Sequence, residues 1–253
     1  MIVCKSPAEI ERMRAANQLV ADVLAELAAM IAPGVTTADL DTAAERLVRA
    51  GGAEPAFKGY RGYPCTLCAS VNEQVVHGIP SARALVEGDV ISLDMGVKLN
   101  GFFGDSAVTV PVGRVAPEVA ALLQVTQGAL AKGIAQVRLG GRVSDIGHAI
   151  QAHVEAHGFS VVREFVGHGI GAALHEEPQI ANYGEPGRGP RLAEGMVLAI
   201  EPMVNMGRAA VKVLADGWTA VTRDGSLSAH FEHTVAVTKN GPRVLTERSV
   251  PAL

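Results

Sequence analysis

Apolar residues recur at helical spacing in four stretches of the chain. Ser6-Pro7-Ala8-Glu9 is a capping box with proline at the first helical position, and Ile10, Met13, Val20, Leu24, Leu27 and Ile31 follow on one face. Ala32-Pro33-Gly34 stops that helix. Thr37 is expected to cap a second, burying Leu40, Ala44 and Leu47 and ending at Gly51-Gly52. Pro117 opens a third with Val119, Leu122, Leu123, Leu130, Ile134 and Val137 inward, stopped by Leu139-Gly140-Gly141. Ser144 is expected to cap a fourth, with Ile146, Ile150 and Val154 inward and Gly158 at its end.

Between the helices the pattern turns extended. The 53–64 stretch, rich in Gly, Pro and aromatics, reads as a loop, and Thr66–Val71 and Glu73–Ile79 read as extended around a turn at Asn72. In Glu87–Asp105 an apolar run ends on Asp94, a Gly/Asn reversal follows, and a second run ends on Asp105, which predicts two short strands of a bent hairpin that ends near Val112-Gly113. Phe159–Val166 reads as a strand, Gly184–Pro190 as a loop, and strands are expected near 196–206, 218–222 and 230–238. Helices and strands segregate, so the pattern predicts α+β with antiparallel sheet rather than a parallel doubly wound sheet. No GxGxxG or P-loop stands in the chain.

The pattern also repeats itself. Glu87–Asp94 lines up with Glu194–Glu201, Asp105-Ser106-Ala107-Val108 with Glu232-His233-Thr234-Val235, Pro7 with Pro117 and Asp39 with Asp145, all in the same order. Each half reads helix, helix, strand ending in an acid, strand ending in an acid. The expectation is a single domain over 1–253, built of halves at about 1–115 and 116–253 around a pseudo-twofold axis that brings four carboxylates to one centre.

Composition narrows the functional classes. At 48% hydrophobic and 19% charged the chain has ample core material, and a net charge of −4 without a Lys/Arg cluster argues against specific nucleic-acid binding. The N-terminus lacks the apolar core of a signal peptide, and the stretch from Leu19 to Ala32 is interrupted by Asp22 and Glu26, so no membrane span is expected. Three cysteines suit a reducing cytoplasm; Cys65 and Cys68 have no second Cys/His pair at knuckle spacing and read as ordinary thiols, with Cys68 a candidate pocket liner.

A carboxylate at the end of an apolar run is costly to bury without a cation or hydrogen bonds. One such residue reads as a surface acid or turn cap; Asp94, Asp105, Glu201 and Glu232 together read as a hard-cation site. His168, between glycines in Phe165–Pro178, is a candidate fifth ligand, and His175 is a second polar group that can face the same cleft. His148, His153 and His157 read as histidines of a helix surface or last turn. Four carboxylates and an imidazole exceed one tetrahedral zinc site and suit two divalent ions, Mn, Fe, Co or Zn. Two ions about 3.5–4 Å apart can bind a bridging water, lower its pKa and stabilise the oxyanion of its attack on a carbonyl. Metal-assisted hydrolysis is the reaction class these residues point to.

These segments also resemble a known family, the type I methionine aminopeptidases of the pita-bread fold, from Ser6 to about Thr246. The match rests on FVGHGIGAALHEEPQIANY at 165–183 and on SLDMG, GFFGD, VLAIEPM and HFEHTVAVT. The resemblance implies that Asp94 ligates one ion, His168 and Glu201 the other, and that Asp105 and Glu232 bridge. Glu201 would also relay the proton of the bridging water, His77 would contact the scissile peptide and His175 its carbonyl oxygen. It implies an apolar pocket of Tyr60, Tyr63, Cys68, Leu174 and Trp218 suited to a thioether. The implied partner is the N-terminal methionine of nascent polypeptides with a small second residue, met by a cytoplasmic monomer in transient ribosome association. Phe103 departs from the family, many of whose members carry His there, and removes a polar group beside the site. Two alternatives share the fold: an Xaa-Pro dipeptidase or aminopeptidase, and a pita-bread protein that holds peptides without cleaving them.

Overall fold

The computed structural model describes residues 1–247. In the first half α1 (Pro7–Met30) and α2 (Thr37–Ala50) are followed by β1 (Glu54–Pro55), β2 (Cys68–Val71), β3 (Gln74–Val76), β4 (Val90–Leu99) and β5 (Phe102–Pro111). The second half opens with α3 (Pro117–Ile134) and α4 (Val143–Ala156). Ten short strands complete it: β6 (Ser160–Val161), β7 (Gly167–Gly169), β8 (Glu176–Ile180), β9 (Val197–Ile200), β10 (Met203–Asn205), β11 (Val211–Val213), β12 (Ala220–Thr222), β13 (Ser228–His230), β14 (His233–Thr238) and β15 (Gly241–Val244). All strand pairings are antiparallel, as the segregated pattern predicts.

Ser6 and Glu9 form the expected capping box of α1, whose Met13, Ala16, Val20, Leu24 and Leu27 are buried. In α2 the cap is Thr36 rather than Thr37, because Asp39 returns its carboxylate to the Thr36 N–H. Leu40 and Ala44 are buried as expected, but Val48 takes the fully buried place and Leu47 only packs on the rim. The cap of α4 is Arg142 instead of Ser144: Asp145 accepts from the Arg142 N–H at 2.8 Å, while the Ser144 hydroxyl bonds to the 188 backbone. Asp39 and Asp145, matched in the internal repeat, thus hold the same third helical position and do the same job. α3 stops at Ile134, earlier than its glycines suggest, and Val137 is buried from the connecting turn.

The central hairpin ends at Pro111, close to the end expected near Val112-Gly113. β4 and β5 pair over ten residues each, reversing at Asn100 and Gly101, both at positive φ. β5 runs along one edge of β4 while β2 and β1 share the other. In the second half β14 takes one edge of β9 and β7 the other, so the order β5-β4-β2 recurs as β14-β9-β7. The expected strand over 159–166 shrinks to β6, because Val162 pairs with Met203 and the chain then turns towards β7. β1, β8, β11 and β15 had no separate signal; each is five residues or fewer.

Two contacts fix the geometry of the centre. A Cβ at Gly104 would meet the backbone of Ala16 and Asn17 at 2.8 Å, so only glycine lets α1 lie this close to the hairpin. Along the free edge of β5, the Glu232 N–H donates to the Ala107 carbonyl (3.0 Å), Ser106 Oγ to the Glu232 carbonyl (2.7 Å), and Thr234 Oγ1 to the Asp105 carbonyl (2.8 Å). These bonds join the two halves where their acids lie.

Candidate metal centre

Strand register explains why the acids converge. Asp94 pairs across with Ala107 and with Cys68, and Asp105 pairs with Gly96. Cross-strand partners and residues two apart share a face, so Cys68, Asp94 and Asp105 point the same way. In the second half His168 pairs with Ala199, and Ala199 with Thr234. Glu201 and Glu232 lie two residues from those partners and share their face. The edge bonds between β5 and 232–234 then bring the two faces together over one cavity.

Asp94, Asp105, His168, Glu201 and Glu232 all line that cavity. Ligand atoms of Asp105, His168 and Glu232, three buried residues, lie within 4.8 Å of one another. His168 Nε2 stands 3.8 Å from Asp105 Oδ2 and 3.6 Å from Glu201 Oε1. Its other nitrogen, Nδ1, contacts the Gly169 carbonyl at 2.9 Å, which assigns the proton to Nδ1 and turns the Nε2 lone pair to the acids. The glycines beside His168 serve backbone packing: a Cβ at Gly167 would collide with the Ala199 carbonyl and one at Gly169 with the Glu177 carbonyl.

The donor set fits divalent cations. Asp94 Oδ1 and Asp105 Oδ1 are buried without a hydrogen-bond partner among the described residues. Burial pushes the Asp94 carboxyl up to about 7, and burial together with the Asp94 charge pushes Asp105 and Glu201 well above the carboxylate range. Buried acids that repel one another and lack partners are stable in their ionised form only with cations among them. Burial, with a smaller contribution from His175, lowers His168 to about 3 and keeps it the neutral imidazole a metal requires.

The rest of the cavity wall is aromatic and apolar, Phe57, Tyr63, Cys68, Leu174 and Trp218, joined by His77 and by His175, whose ring lies 4.2 Å from that of His168. Tyr63 packs edge-on to Trp218 at 5.1 Å and turns its hydroxyl away, to the carbonyls of Leu67 and Gly78. His77 lies edge-on to Phe165 and Trp218. Its φ of 60° is uncommon for a residue other than glycine, and burial lowers its pKa to about 4. Tyr60 stands one step back from the cavity. It stacks on His175 at 5.3 Å, and its hydroxyl lies 2.9 Å from His175 Nδ1. Phe103 stays in an apolar cluster with Ile170 and Leu174, and its N–H donates to the Gly171 carbonyl.

Two residues carried no expectation. Phe57 lies in the 53–64 loop and packs where a Cβ at Gly96 would stand. His230 is 1% exposed beside Glu201, its Nε2 3.8 Å from Oε2. Its sequence signal was its place two residues before Glu232.

The model of metallopeptidase family M24 matches residues 11–239. Methionine aminopeptidase 1 of Bacillus subtilis is 55% identical over 246 residues, covering 97% of this chain and 99% of its own. The structure is similar to the crystal structures of methionine aminopeptidase from Thermotoga maritima (TM-score 0.96, 48% identity) and Rickettsia prowazekii (TM-score 0.96, 43% identity), each alignment covering 98% of this chain and 100% of the other. The prolidase from Pyrococcus furiosus shares the fold at 22% identity (TM-score 0.79), with 98% of this chain and 66% of that one aligned. Among the described residues no helix is long and apolar enough to cross a membrane.

Proposed function

The chain belongs to metallopeptidase family M24, and from that premise we propose that it is a methionine aminopeptidase, removing an N-terminal methionine when the second residue is small. The observation that carries the reading is the cavity itself, which the acids and His168 line together with aromatic and apolar side chains. Asp94, Asp105, His168, Glu201 and Glu232 would hold two divalent ions, Mn, Fe, Co or Zn, with Asp105 and Glu232 shared between them. Bound there, the ions lower the pKa of water and stabilise the oxyanion that develops on the scissile carbonyl.

The protein's side chains have separable tasks. Tyr63, Cys68, Leu174 and Trp218, with Phe57, take the methionine side chain; a flexible, polarizable thioether packs well against aromatic faces and a buried thiol. His77 holds the scissile peptide. His175 donates Nε2–H to the carbonyl oxygen: the Tyr60 hydroxyl bonds to its Nδ1, and burial and the Arg61 charge lower its pKa, so a neutral ring presents its proton to the substrate. Glu201 takes the proton released from the attacking water and passes it to the leaving amine, as a carboxylate lining the cavity beside the other acids can.

The resemblance to methionine aminopeptidases carries the remaining parts of the proposal: a cytoplasmic monomer that meets nascent chains at the ribosome. A panel of Met-Gly, Met-Ala, Met-Lys, Leu-Gly, Ala-Pro and N-acetyl-Met-Ala peptides tests the specificity. Met-Gly and Met-Ala are the expected substrates. Preferred cleavage of Ala-Pro would favour an Xaa-Pro peptidase, and no cleavage with metal restored would favour a peptide-binding protein.

A further inference from the structure

His230 is a buried polar side chain that the chemistry above does not use. It is 1% exposed, and among the described residues neither ring nitrogen has a hydrogen-bond partner. A neutral imidazole carries one donor and one acceptor, and native proteins seldom bury such a ring with both unmet.

Its backbone is held firmly. The His230 N–H donates to Thr109 Oγ1 at 2.8 Å, and Thr109 Oγ1 donates back to the His230 carbonyl at 2.8 Å. The Ser92 hydroxyl lies 2.8 Å from the same Thr109 oxygen, and His230 also pairs with Met203 across β10. This lattice joins β4, β5 and β13 and anchors the ring behind Glu201. His230 Nε2 lies 3.8 Å from Glu201 Oε2, while the other carboxylate oxygen, Oε1, lies 3.6 Å from His168 Nε2. Glu201 therefore stands between two imidazoles, one at each oxygen. Glu201 lines the cavity; His230 is absent from its wall. The two histidines differ further in that His168 has a carbonyl on Nδ1 and His230 has none.

We propose that His230 is a positioning residue for Glu201, its Nε2–H donating to Oε2 and leaving Oε1 to face the metal site. Shortening the separation by about 1 Å makes the hydrogen bond, a movement open to a glutamate side chain by a small χ rotation. The bond fixes which oxygen of Glu201 is presented, as partners behind a ligand commonly do, and gives the buried imidazole its missing acceptor. The inference rests on the reading of Glu201 as a metal ligand.

The test titrates metal-stripped wild type, His230→Leu, His230→Gln and Glu201→Gln with Mn²⁺ by calorimetry, with kcat and KM on Met-Ala measured in parallel. His230→Leu is expected to weaken Mn²⁺ binding roughly 10–100-fold and to lower kcat with KM little changed. His230→Gln retains a donor and is expected to hold Mn²⁺ within a few-fold of wild type. His230→Met provides a second apolar variant if leucine packs badly, and it must show the same loss. Wild-type Mn²⁺ affinity in a folded apolar variant, with Glu201→Gln weakened, overturns the role of His230 alone. Wild-type affinity in Glu201→Gln removes the ligand reading on which it rests.

Discussion

The Tyr60 hydroxyl lies 2.9 Å from Nδ1 of His175, and the two rings stack with centroids 5.3 Å apart. This bond holds the plane of the His175 ring, and with the hydroxyl as donor it leaves the ring proton on Nε2. Tyr60→Phe keeps the stack and removes the bond, worth about 1 kcal/mol or slightly more. The expected result is a kcat about tenfold lower or less with metal content unchanged. A rise in KM for methionyl substrates at constant kcat would instead make Tyr60 a wall of the methionine pocket.

His175→Ala is expected to bind metal normally and lose roughly 10²–10³ in turnover, the usual loss for one oxyanion donor. Asp105→Ala and Glu232→Ala are expected to lose both metal and turnover, because each would serve both ions. Metal analysis beside steady-state kinetics separates the two outcomes. Metal loss in His175→Ala would make that residue a ligand.

Lys5 links the chain start to the site loop. It is 6% exposed, its ammonium pairs with Glu176, and Glu176 also accepts from the Ala173 N–H at 3.2 Å. Breaking a buried pair leaves its partner uncompensated, at a cost of about 3 kcal/mol or more. Lys5→Met should therefore lower the denaturation midpoint substantially and loosen the loop that carries Leu174 and His175. An unchanged midpoint in urea would show that Glu176 is satisfied without Lys5.

The raised carboxyls make metal-free stability depend on pH. Asp94 titrates at about 7 in the fold, and Asp105 and Glu201 well above the usual carboxylate range, all three chiefly through burial. The folded state then binds protons that the unfolded chain has released, so these groups' contribution falls as pH rises through their folded values. Below about 6.5 the buried neutral histidines 168 and 230, lowered to about 3 mainly by burial, act in the opposite direction. The clean window is therefore about pH 6.5 to 8. The Tm of chelator-treated protein should fall across it, and Mn²⁺ should remove the trend. A rise of metal-free Tm over that window would contradict the assignment of the buried acids.

The helices were legible because capping residues and helical periodicity are local signals. The caps fall one and two residues before Thr37 and Ser144, because Asp39 and Asp145 accept from the N–H groups of Thr36 and Arg142. The acids were legible because each closes an apolar run, where a carboxylate is costly, and the internal echo paired them. The contact that joins the halves was not legible. It depends on bonds from residues 106 and 234 across the edge of β5, which no local pattern specifies. Tyr60 and Phe57 were obscured for a related reason. They sit in a turn whose Arg61 has a φ of 49°, and its geometry decides which aromatic reaches the cavity. His230 was hidden because its strand is only three residues long.

The most direct test of the account is a metal titration of chelator-stripped protein, with bound ions counted and Met-Ala hydrolysis followed in the same samples. The account predicts no hydrolysis without metal, recovery as divalent ions bind, and saturation at two ions per chain. Full hydrolysis by protein shown to be metal-free, or a folded chain that binds no divalent ion, would contradict it.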